Sequence, residues 1–591
     1  MRTAQTVLTI IQKRGTQNQE LERVYKLLFN RELYLTAYAR LYSNNGAMTE
    51  GATNETVDGM SRRKIDNIID KVRNERYEWT PVRRTYIAKK NNPAKKRPLG
   101  IPTWSDKLLQ EAMKQILEAY YEPRFSEHSH GFRQGHGCHT ALSEIRTWKG
   151  TKWFIEGDIS KCFDTIDHDI LIAILGKSIK DNRFLRLVKN MLDAGYLEDW
   201  KYNKTLSGTP QGGIVSPILA NIYMNEFDEW LENELLPNYN TDNRQKTNPE
   251  YNKFTHKIAK CYKSGDKETA RKLKIERRDI PSVNTYDESY RRLRFVRYAD
   301  DFILGFTGSK TEAENIKTRL AEFLESKLKL TLSEEKTLIT NATTDSARFL
   351  NYNLKAQRAN DYIDPTGRRG ANGVIGLFVP ADVVEAKCRA YMKKGKTIHI
   401  GKLINDDDFS IIETFQQQYR GMVQYYLMAQ NVCWFSKLHW IMEGSLLKTL
   451  ACKHRSSMKK IKKKYQSETK DERTGKTLKC LKKVVEREGK KPLVAQWGGI
   501  SLSYDKSAVI ADTPYTVNGG RNELIKRLLA DTCELCGSKE RIKVHHVRKL
   551  ADLNMKGRKE RPVWAQIMSA RRRKTLVVCH QCHTAIHNGT I

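Results

Sequence analysis

Taken as a pattern of apolar and polar positions, the chain falls into five stretches. Residues 1–75 alternate short apolar runs with loops, and a turn-rich patch spans Asn44 to Gly51. From 76 to 360, short β-prone runs alternate with helical periodicity, the pattern of an α/β or α+β core. Inside it, residues 238–290 are polar and strongly charged with little apolar periodicity, which predicts a surface excursion. From 361 to 465 apolar positions recur three and four residues apart, as in Phe415, Tyr419, Met422, Val423, Tyr426 and Leu427, which predicts a helical unit. That unit closes on Lys459, Lys460, Lys462, Lys463 and Lys464 and leads into a basic segment, 466–530. Residues 531–591 concentrate cysteine and histidine and are expected to fold around metal. No repeat is evident, and no run approaches the ~18 to 20 apolar residues that cross a bilayer.

Two of the β-prone runs end in acids. Phe295 to Leu304 reads as two strands around a tight turn that carries Asp300 and Asp301, so a hairpin tip is implied. Trp153 to Asp158 is a second apolar run ending in a carboxylate. Adjacent carboxylates repel, and a divalent cation is the commonest reason for them; an ordinary Asp-rich turn is the alternative. If the runs are neighbours in one sheet, Asp158 and Asp300 meet at its edge. Acids converging on two Mg²⁺ ions ~3.5 to 4 Å apart would activate a 3′-hydroxyl and stabilise a leaving pyrophosphate.

Composition narrows the partner. The 591 residues hold 104 Lys and Arg against 69 Asp and Glu, a net charge of +35. With 39% hydrophobic residues, real cores can form and wholesale disorder is excluded. Positive charge spread along the whole chain fits a long polyanion that sheds counterions on binding. A membrane or secreted protein is disfavoured; a cytoplasmic or organellar location is expected. Of 11 cysteines, seven are scattered singly, which points to a reducing compartment rather than a disulfide framework.

The other four cysteines form two C-x-x-C pairs, Cys533/Cys536 and Cys579/Cys582, the strong form of a four-cysteine structural Zn²⁺ site. Disulfides are the weaker alternative. Between and after the pairs stand His545-His546 and His583-x-x-x-His587. On a helix the last two share a face and can hold one cation.

Five ordered blocks carry a family resemblance. They are Arg97-Pro98-Leu99-Gly100-Ile101-Pro102-Thr103, Ser129-His130-Gly131-Phe132-Arg133, Gly208 to Pro217, Tyr298-Ala299-Asp300-Asp301, and Leu332-Ser333-Glu334-Glu335-Lys336-Thr337. Together with the Asp158 run, they resemble the group II intron reverse transcriptase/maturases. The resemblance implies a multidomain α+β chain with right-hand-like fingers and palm over 76–360, after an RNA-contacting N-terminal extension, 1–75. It implies an α-helical thumb or maturase X domain over 361–465, where Tyr419-Arg420-Gly421-Met422, Tyr425-Tyr426 and Thr449 to Lys453 match. It assigns catalysis to Asp158, Asp300 and Asp301, with Asp158 and Asp300 as direct Mg²⁺ ligands. Phe163 matches the aromatic gate against a ribose 2′-hydroxyl, Lys89 and Arg97 the residues holding the incoming dNTP triphosphate, and Gln211 a contact near the nascent pair. Lys336 matches a lysine that protonates pyrophosphate, with a plain surface lysine as the alternative. Residues 466–530 match a DNA-binding region by position and charge only.

The last stretch, 531–591, resembles an HNH endonuclease, a ββα-metal unit joined to a zinc knuckle. The family pattern makes His545, His583 and His587 ligands of a divalent cation, Mg²⁺ or Mn²⁺, and His546 the general base. Where many HNH enzymes carry an asparagine bracing the base-bearing loop, this chain has Lys574. Elsewhere, Glu50-Gly51-Ala52-Thr53 replaces the usual Pro-Gly-Val-Asp, and Asn351 stands where glycine is common. The implied partners are group II intron RNA, target double-stranded DNA and dNTPs. The implied function joins reverse transcription, splicing assistance and strand nicking in intron mobility. The rivals are a splicing-only maturase with idle sites and a reverse transcriptase of another retroelement, which would lack the X region followed by HNH.

Overall fold

A computed structural model of the chain describes residues 3–591 apart from 45, 90–91, 206, 209–211, 242–244, 285–286, 288, 360–361, 363–370, 488–489, 511–522, 554–560 and 572. The N-terminal stretch forms the helices Ala4–Thr16, Arg31–Leu41 and Arg62–Arg73. Each starts where its sequence supplies an oxygen for the orphan N–H groups of a first turn: Thr3, Asn30 and Ser61 accept from the backbone. The first two pack on the long helix Trp104–Tyr121, whose Leu108, Leu109, Ala112, Met113 and Ile116 are fully buried. The antiparallel pair Val82–Lys89 and Asn92–Ile101 precedes that helix and belongs to a four-stranded sheet completed by Tyr196–Glu198 and Lys201–Asn203.

The expected pairing of the acid-bearing runs is present. One antiparallel sheet has the order Leu293–Tyr298, Asp301–Phe306, Trp153–Asp158, Ile339–Asn341. Its side chains alternate between two cores, as period-2 strands require. Ile155, Phe295, Phe302 and Leu304 join one core with Leu219 of the helix Ser216–Trp230 and Leu320 of the helix Lys310–Leu328. Phe154, Val296 and Ile303 join the other with Leu142, Ile145 and Leu354. A sheet covered on both faces leaves its strand ends as the place where carboxylates can reach solvent.

The charged insertion is a surface excursion, but a folded one. Pro249–Lys263 and Lys267–Arg277 pack as a helical hairpin, and Ile258 and Ala270 are the buried residues of these two helices. The helical unit follows as Ala381–Arg389, Asp408–Tyr425, Phe435–Lys453 and Met458–Tyr465. Ile411, Ile412, Phe415, Tyr419 and Val423 form its inward stripe.

No break in packing falls at 465/466. The basic segment runs on as a three-stranded antiparallel sheet, Gln466–Lys470, Thr477–Arg487 and Lys490–Gly498. Leu481, Ala495 and Trp497 share the helical unit's core. Trp497 stacks on His439 at 5.4 Å, and the Gln416 amide bonds both the N–H and the C=O of Gly498. Exposed lysines left this segment without visible periodicity, because its buried face is only a few residues wide.

The C-terminal unit is a hairpin, Lys543–His546 with Thr575–Val578, followed by the helix His580–Asn588. It docks on the N-terminal helices. Val544, Leu576 and Val577 share one core with Met60 and Trp104, although nearly the whole chain separates them in sequence. No helix among the described residues is long and apolar enough to cross a membrane.

Candidate functional sites

At the sheet end, Asp158 stands directly opposite Asp301, and Tyr298 pairs with Asp301 across the turn that carries Asp300. Ala299 opens that turn with a φ of 58°, a left-handed conformation that costs a non-glycine residue energy. Its surroundings hold it there. The Arg297 guanidinium donates to the Ala299 carbonyl (2.9 Å), to both oxygens of Asp228 (2.7 and 2.5 Å) and to Ser129 Oγ (2.8 Å). The backbone of Arg297 exchanges hydrogen bonds with His128 and His130. Gly131 lies so close that a Cβ there would meet the Ala299 nitrogen at 2.4 Å. The Ser129-His130-Gly131 block therefore braces the acidic turn.

Arg297 and Asp228 are both fully buried. Neither stands out in the sequence, because an arginine between apolar strand residues and an aspartate in a helix carry no motif. Arg297→Ala leaves Asp228 buried without its partner, at a cost of about 3–5 kcal/mol. The expected result is a clear drop in the thermal unfolding midpoint, and an unchanged midpoint would refute the brace.

Burial raises the pKa of Asp300, and the Asp158 charge adds to the rise. Burial, then the charges of Asp300 and Asp158, push Asp301 well above the usual carboxylate range. Three carboxylates gathered at one sheet end, two of them with raised pKa values, are the donor set a hard dication fits. Lys336 Nζ holds Asp158 Oδ2 at 2.7 Å, and that bond raises the lysine pKa. Though 65% exposed, Lys336 thus belongs to the acid cluster.

Phe163 lies in the short helix Cys162–Thr165, beside Phe132 with ring centres 6.2 Å apart. Gly208 abuts this helix so closely that a Cβ would meet the Asp164 carbonyl at 2.6 Å. Arg97 is exposed on the strand Asn92–Ile101 opposite Ile87, and its charge opposes the rise at Asp300. Gln211 and the side chain of Lys89 lie outside the described residues. Asn351 has a φ of 58°, which explains why glycine suits that turn and why asparagine is tolerated.

In the C-terminal unit all four cysteines of the two pairs are free thiols, and their sulfurs lie within 4.8 Å of one another. The Cys536 and Cys582 N–H groups point at Cys533 and Cys579 Sγ, each at 3.5 Å. Burial opposes ionisation of Cys533, but the N–H groups of Cys536, Cys579 and Leu535 outweigh it and lower its pKa. Four thiols aimed at one point suit Zn²⁺. Cys579 also caps the helix that carries His583 and His587, so a metal at the cysteines anchors that helix. Cys579→Ser is expected to lose the zinc and expose residues 531–591 to protease. Unchanged zinc content and protection would remove this reading.

His545, His583 and His587 come together, with one ring nitrogen from each within 4.8 Å of the others. Both nitrogens of His545, and Nε2 of His583, are buried without a hydrogen-bond partner. Buried ring nitrogens that face a carboxylate without a formed hydrogen bond are what a cation site predicts. The fourth member of this cluster is Asp58, from the N-terminal region. Its carboxylate lies 2.8 Å from His587 Nε2, 3.3 Å from His583 Nε2 and 3.4 Å from His545 Nδ1. Burial alone would raise the Asp58 pKa; the His545 and His583 rings and the His546 N–H instead hold it far below the usual range. Nothing in the sequence around Asp58 suggests a ligand.

His546 points away from this cluster. Its Nδ1 faces the Val544 carbonyl at 3.3 Å and its Nε2 the Tyr38 hydroxyl at 3.2 Å. Burial lowers its pKa to about 4, which keeps the ring neutral near pH 7. Where an asparagine was expected as a brace, the Lys574 backbone carbonyl accepts the Val547 N–H at 3.0 Å. Arg527 further ties the unit together through Glu534 and the Thr575 carbonyl.

Comparison with known proteins gives three family matches along the chain. Residues 87–354 match the reverse transcriptase (RNA-dependent DNA polymerase) family, 382–494 the type II intron maturase family, and 533–583 the AI2M/AI1M-like HNH endonuclease family. The maturase match crosses 465/466, as the packing does. The chain is 38% identical over 607 aligned residues to the group II intron-encoded protein LtrA of Lactococcus lactis subsp. cremoris, covering 99% of each. It is 36% identical to an uncharacterized 91 kDa protein in the cob intron of Schizosaccharomyces pombe, covering 95% of this chain and 69% of that protein. It is 30% identical to protein YkfC of Escherichia coli over 57% of this chain and 84% of that protein.

Proposed function

The chain belongs to the group II intron-encoded proteins, reverse transcriptase/maturases that carry an HNH endonuclease domain, and on that premise we propose how its residues divide the work. Asp158, Asp300 and Asp301 are the catalytic acids of RNA-directed DNA synthesis. The observation that carries this is the register that sets Asp158 against Asp301 at one sheet end, with Asp300 on the adjoining turn. Two Mg²⁺ ions held there would activate the primer hydroxyl and neutralise the leaving pyrophosphate. Arg97 and Lys89 grip the dNTP triphosphate, for which a guanidinium fork is suited. Phe163 bars a ribose 2′-hydroxyl, and Gln211 borders the nascent pair. Lys336, already on Asp158, is placed to donate a proton to pyrophosphate.

The fingers and palm are 76–360, the thumb 361–465 and the DNA-binding region 466–530, with the nuclease in 531–591 and an RNA-contacting extension in 1–75. In the nuclease, His545, His583 and His587 would hold a divalent cation, which would supply polarisation of the scissile phosphate. His546 takes the proton from the attacking water through Nε2. This follows from tautomer logic: a carbonyl only accepts, so Nδ1 carries the hydrogen toward Val544, and Nε2 keeps the lone pair. Zn²⁺ at the four cysteines is structural.

The protein binds its intron RNA through phosphates and shape, since A-form grooves offer little base readout. Nicking of one target strand then supplies the primer for cDNA synthesis. The test is reconstitution of full-length protein with its intron RNA and a duplex target, scored for cDNA joined to the nicked strand. The +35 charge further predicts that RNA affinity falls steeply with salt. A protein neutralising six to ten phosphates loses roughly 10³ to 10⁵ in affinity between about 50 and 200 mM salt. A nearly flat salt dependence would count against a phosphate grip.

A further inference from the structure

We propose that the N-terminal region is a latch on the nuclease centre: Asp58 fills the fourth ligand position of the histidine-held cation, and the Tyr38 hydroxyl occupies the lone pair of His546. The inference rests on the reading of His545, His583 and His587 as cation ligands and His546 as base.

The latch is built on one antiparallel β-bridge, Met60 opposite Val544. Gly59 N–H donates to the Val544 carbonyl (2.9 Å), and Val544 N–H donates to the Met60 carbonyl (2.9 Å). His546 N–H donates to Asp58 Oδ1 at 2.7 Å. Residues 58–60 therefore pair at one point with the edge of the strand Lys543–His546, and these backbone bonds fix the register of the contact. That register delivers the Asp58 carboxylate to the three imidazoles.

A catalytic cation keeps coordination positions open for water and substrate; a fourth protein ligand would close a tetrahedral centre, and on an octahedral Mg²⁺ or Mn²⁺ it would take one of the positions a phosphate oxygen needs. Asp58 supplies the fourth. The carboxylate presents to the cation the same kind of anionic oxygen that a scissile phosphate would. Independently, the base is blocked. Since Nδ1 of His546 donates to Val544, the hydrogen on the Tyr38 hydroxyl must point at Nε2. A water cannot pass its proton to a nitrogen whose lone pair is already taken. Tyr38 is fully buried, so no solvent competes for that bond. Both features come from the N-terminal region: release of residues 58–60 removes Asp58, and undocking of the helix Arg31–Leu41 removes Tyr38. The base is thus blocked and a substrate position on the cation contested while the two ends of the chain are docked, and a cation bound there would strengthen the docking.

The experiment uses the full-length, zinc-loaded chain carrying Asp300→Ala and Asp301→Ala, so that the polymerase acids take up no added metal. Binding of Mn²⁺ is measured by the electron paramagnetic resonance of the free ion. Asp58→Asn is expected to weaken Mn²⁺ binding by roughly tenfold or more. Mn²⁺ is expected to slow amide exchange at residues 58–60 in the parent and not in Asp58→Asn. Equal Mn²⁺ affinity in the two overturns the inference. His583→Ala must also lose Mn²⁺; if it does not, the assignment of the histidines has failed rather than the latch. Tyr38→Phe, which removes one hydroxyl and keeps the packing, is expected to leave Mn²⁺ affinity unchanged while raising the nicking rate on supercoiled plasmid DNA with Mn²⁺. Equal or slower nicking in Tyr38→Phe overturns the blocked base even should Asp58→Asn fail to fold.

Discussion

Replacing Asp300 and Asp301 together with alanine is expected to abolish primer extension on an RNA template while leaving intron RNA binding intact. The loss should reach roughly 10³-fold or more, about 4 kcal/mol of transition-state stabilisation, because in the proposed site these carboxylates would hold the ions that neutralise the charge of the reaction. RNA binding survives because it draws on the dispersed positive charge rather than on two acids at a sheet end. Retained extension in the double variant would falsify the assignment of the polymerase site. The same cluster sets a pH dependence. Asp301 has a raised pKa, so it keeps a proton at pH values where an ordinary carboxyl has lost it. A cation must displace that proton. Extension at limiting Mg²⁺ should therefore weaken as pH falls, and saturating Mg²⁺ should restore it.

His546→Ala is expected to lower nicking of the target strand by roughly 10² to 10⁴, the range of a general base, and to leave extension from an added primer unchanged. The two activities separate because the histidine lies in the C-terminal hairpin and the acids lie at the end of the central sheet. Persistent nicking would assign the proton transfer to another group. His583→Ala should lose nicking as well, together with the cation, so the pair distinguishes a lost base from a lost metal.

Much of this molecule is legible from its sequence, and the reasons are local. Trp153 to Asp158 and Phe295 to Leu304 announce strands because both faces of that sheet are buried and the runs are correspondingly apolar. Cys533/Cys536 and Cys579/Cys582 announce a site because each pair shares one tight turn. His583 and His587 do so because one helical turn separates them. The helical stripe from Phe415 to Val423 follows from its period. The sheet at 466–498 escaped such reading, since long lysine stems mask the alternation of its few buried positions. The charged insertion, predicted only as surface, holds two helices with one buried residue each, Ile258 and Ala270, too few to leave an apolar period in the sequence.

The sequence by itself determined the chemistry: which acids, thiols and imidazoles the chain carries, and in which local groups. Tertiary structure alone decided which of those groups meet others far along the chain. Arg297 and Asp228 become a fully buried pair beneath the acidic turn, and Asp58 and Tyr38 reach His546 across 488 and 508 residues of chain. Neither contact leaves a periodic or spaced signal, because a side chain's partner across a packed interface is set by how whole elements dock. Docking is governed by the summed burial of Met60, Trp104, Val544 and their neighbours, and by the backbone bonds at the Met60–Val544 bridge, not by any short run of residues.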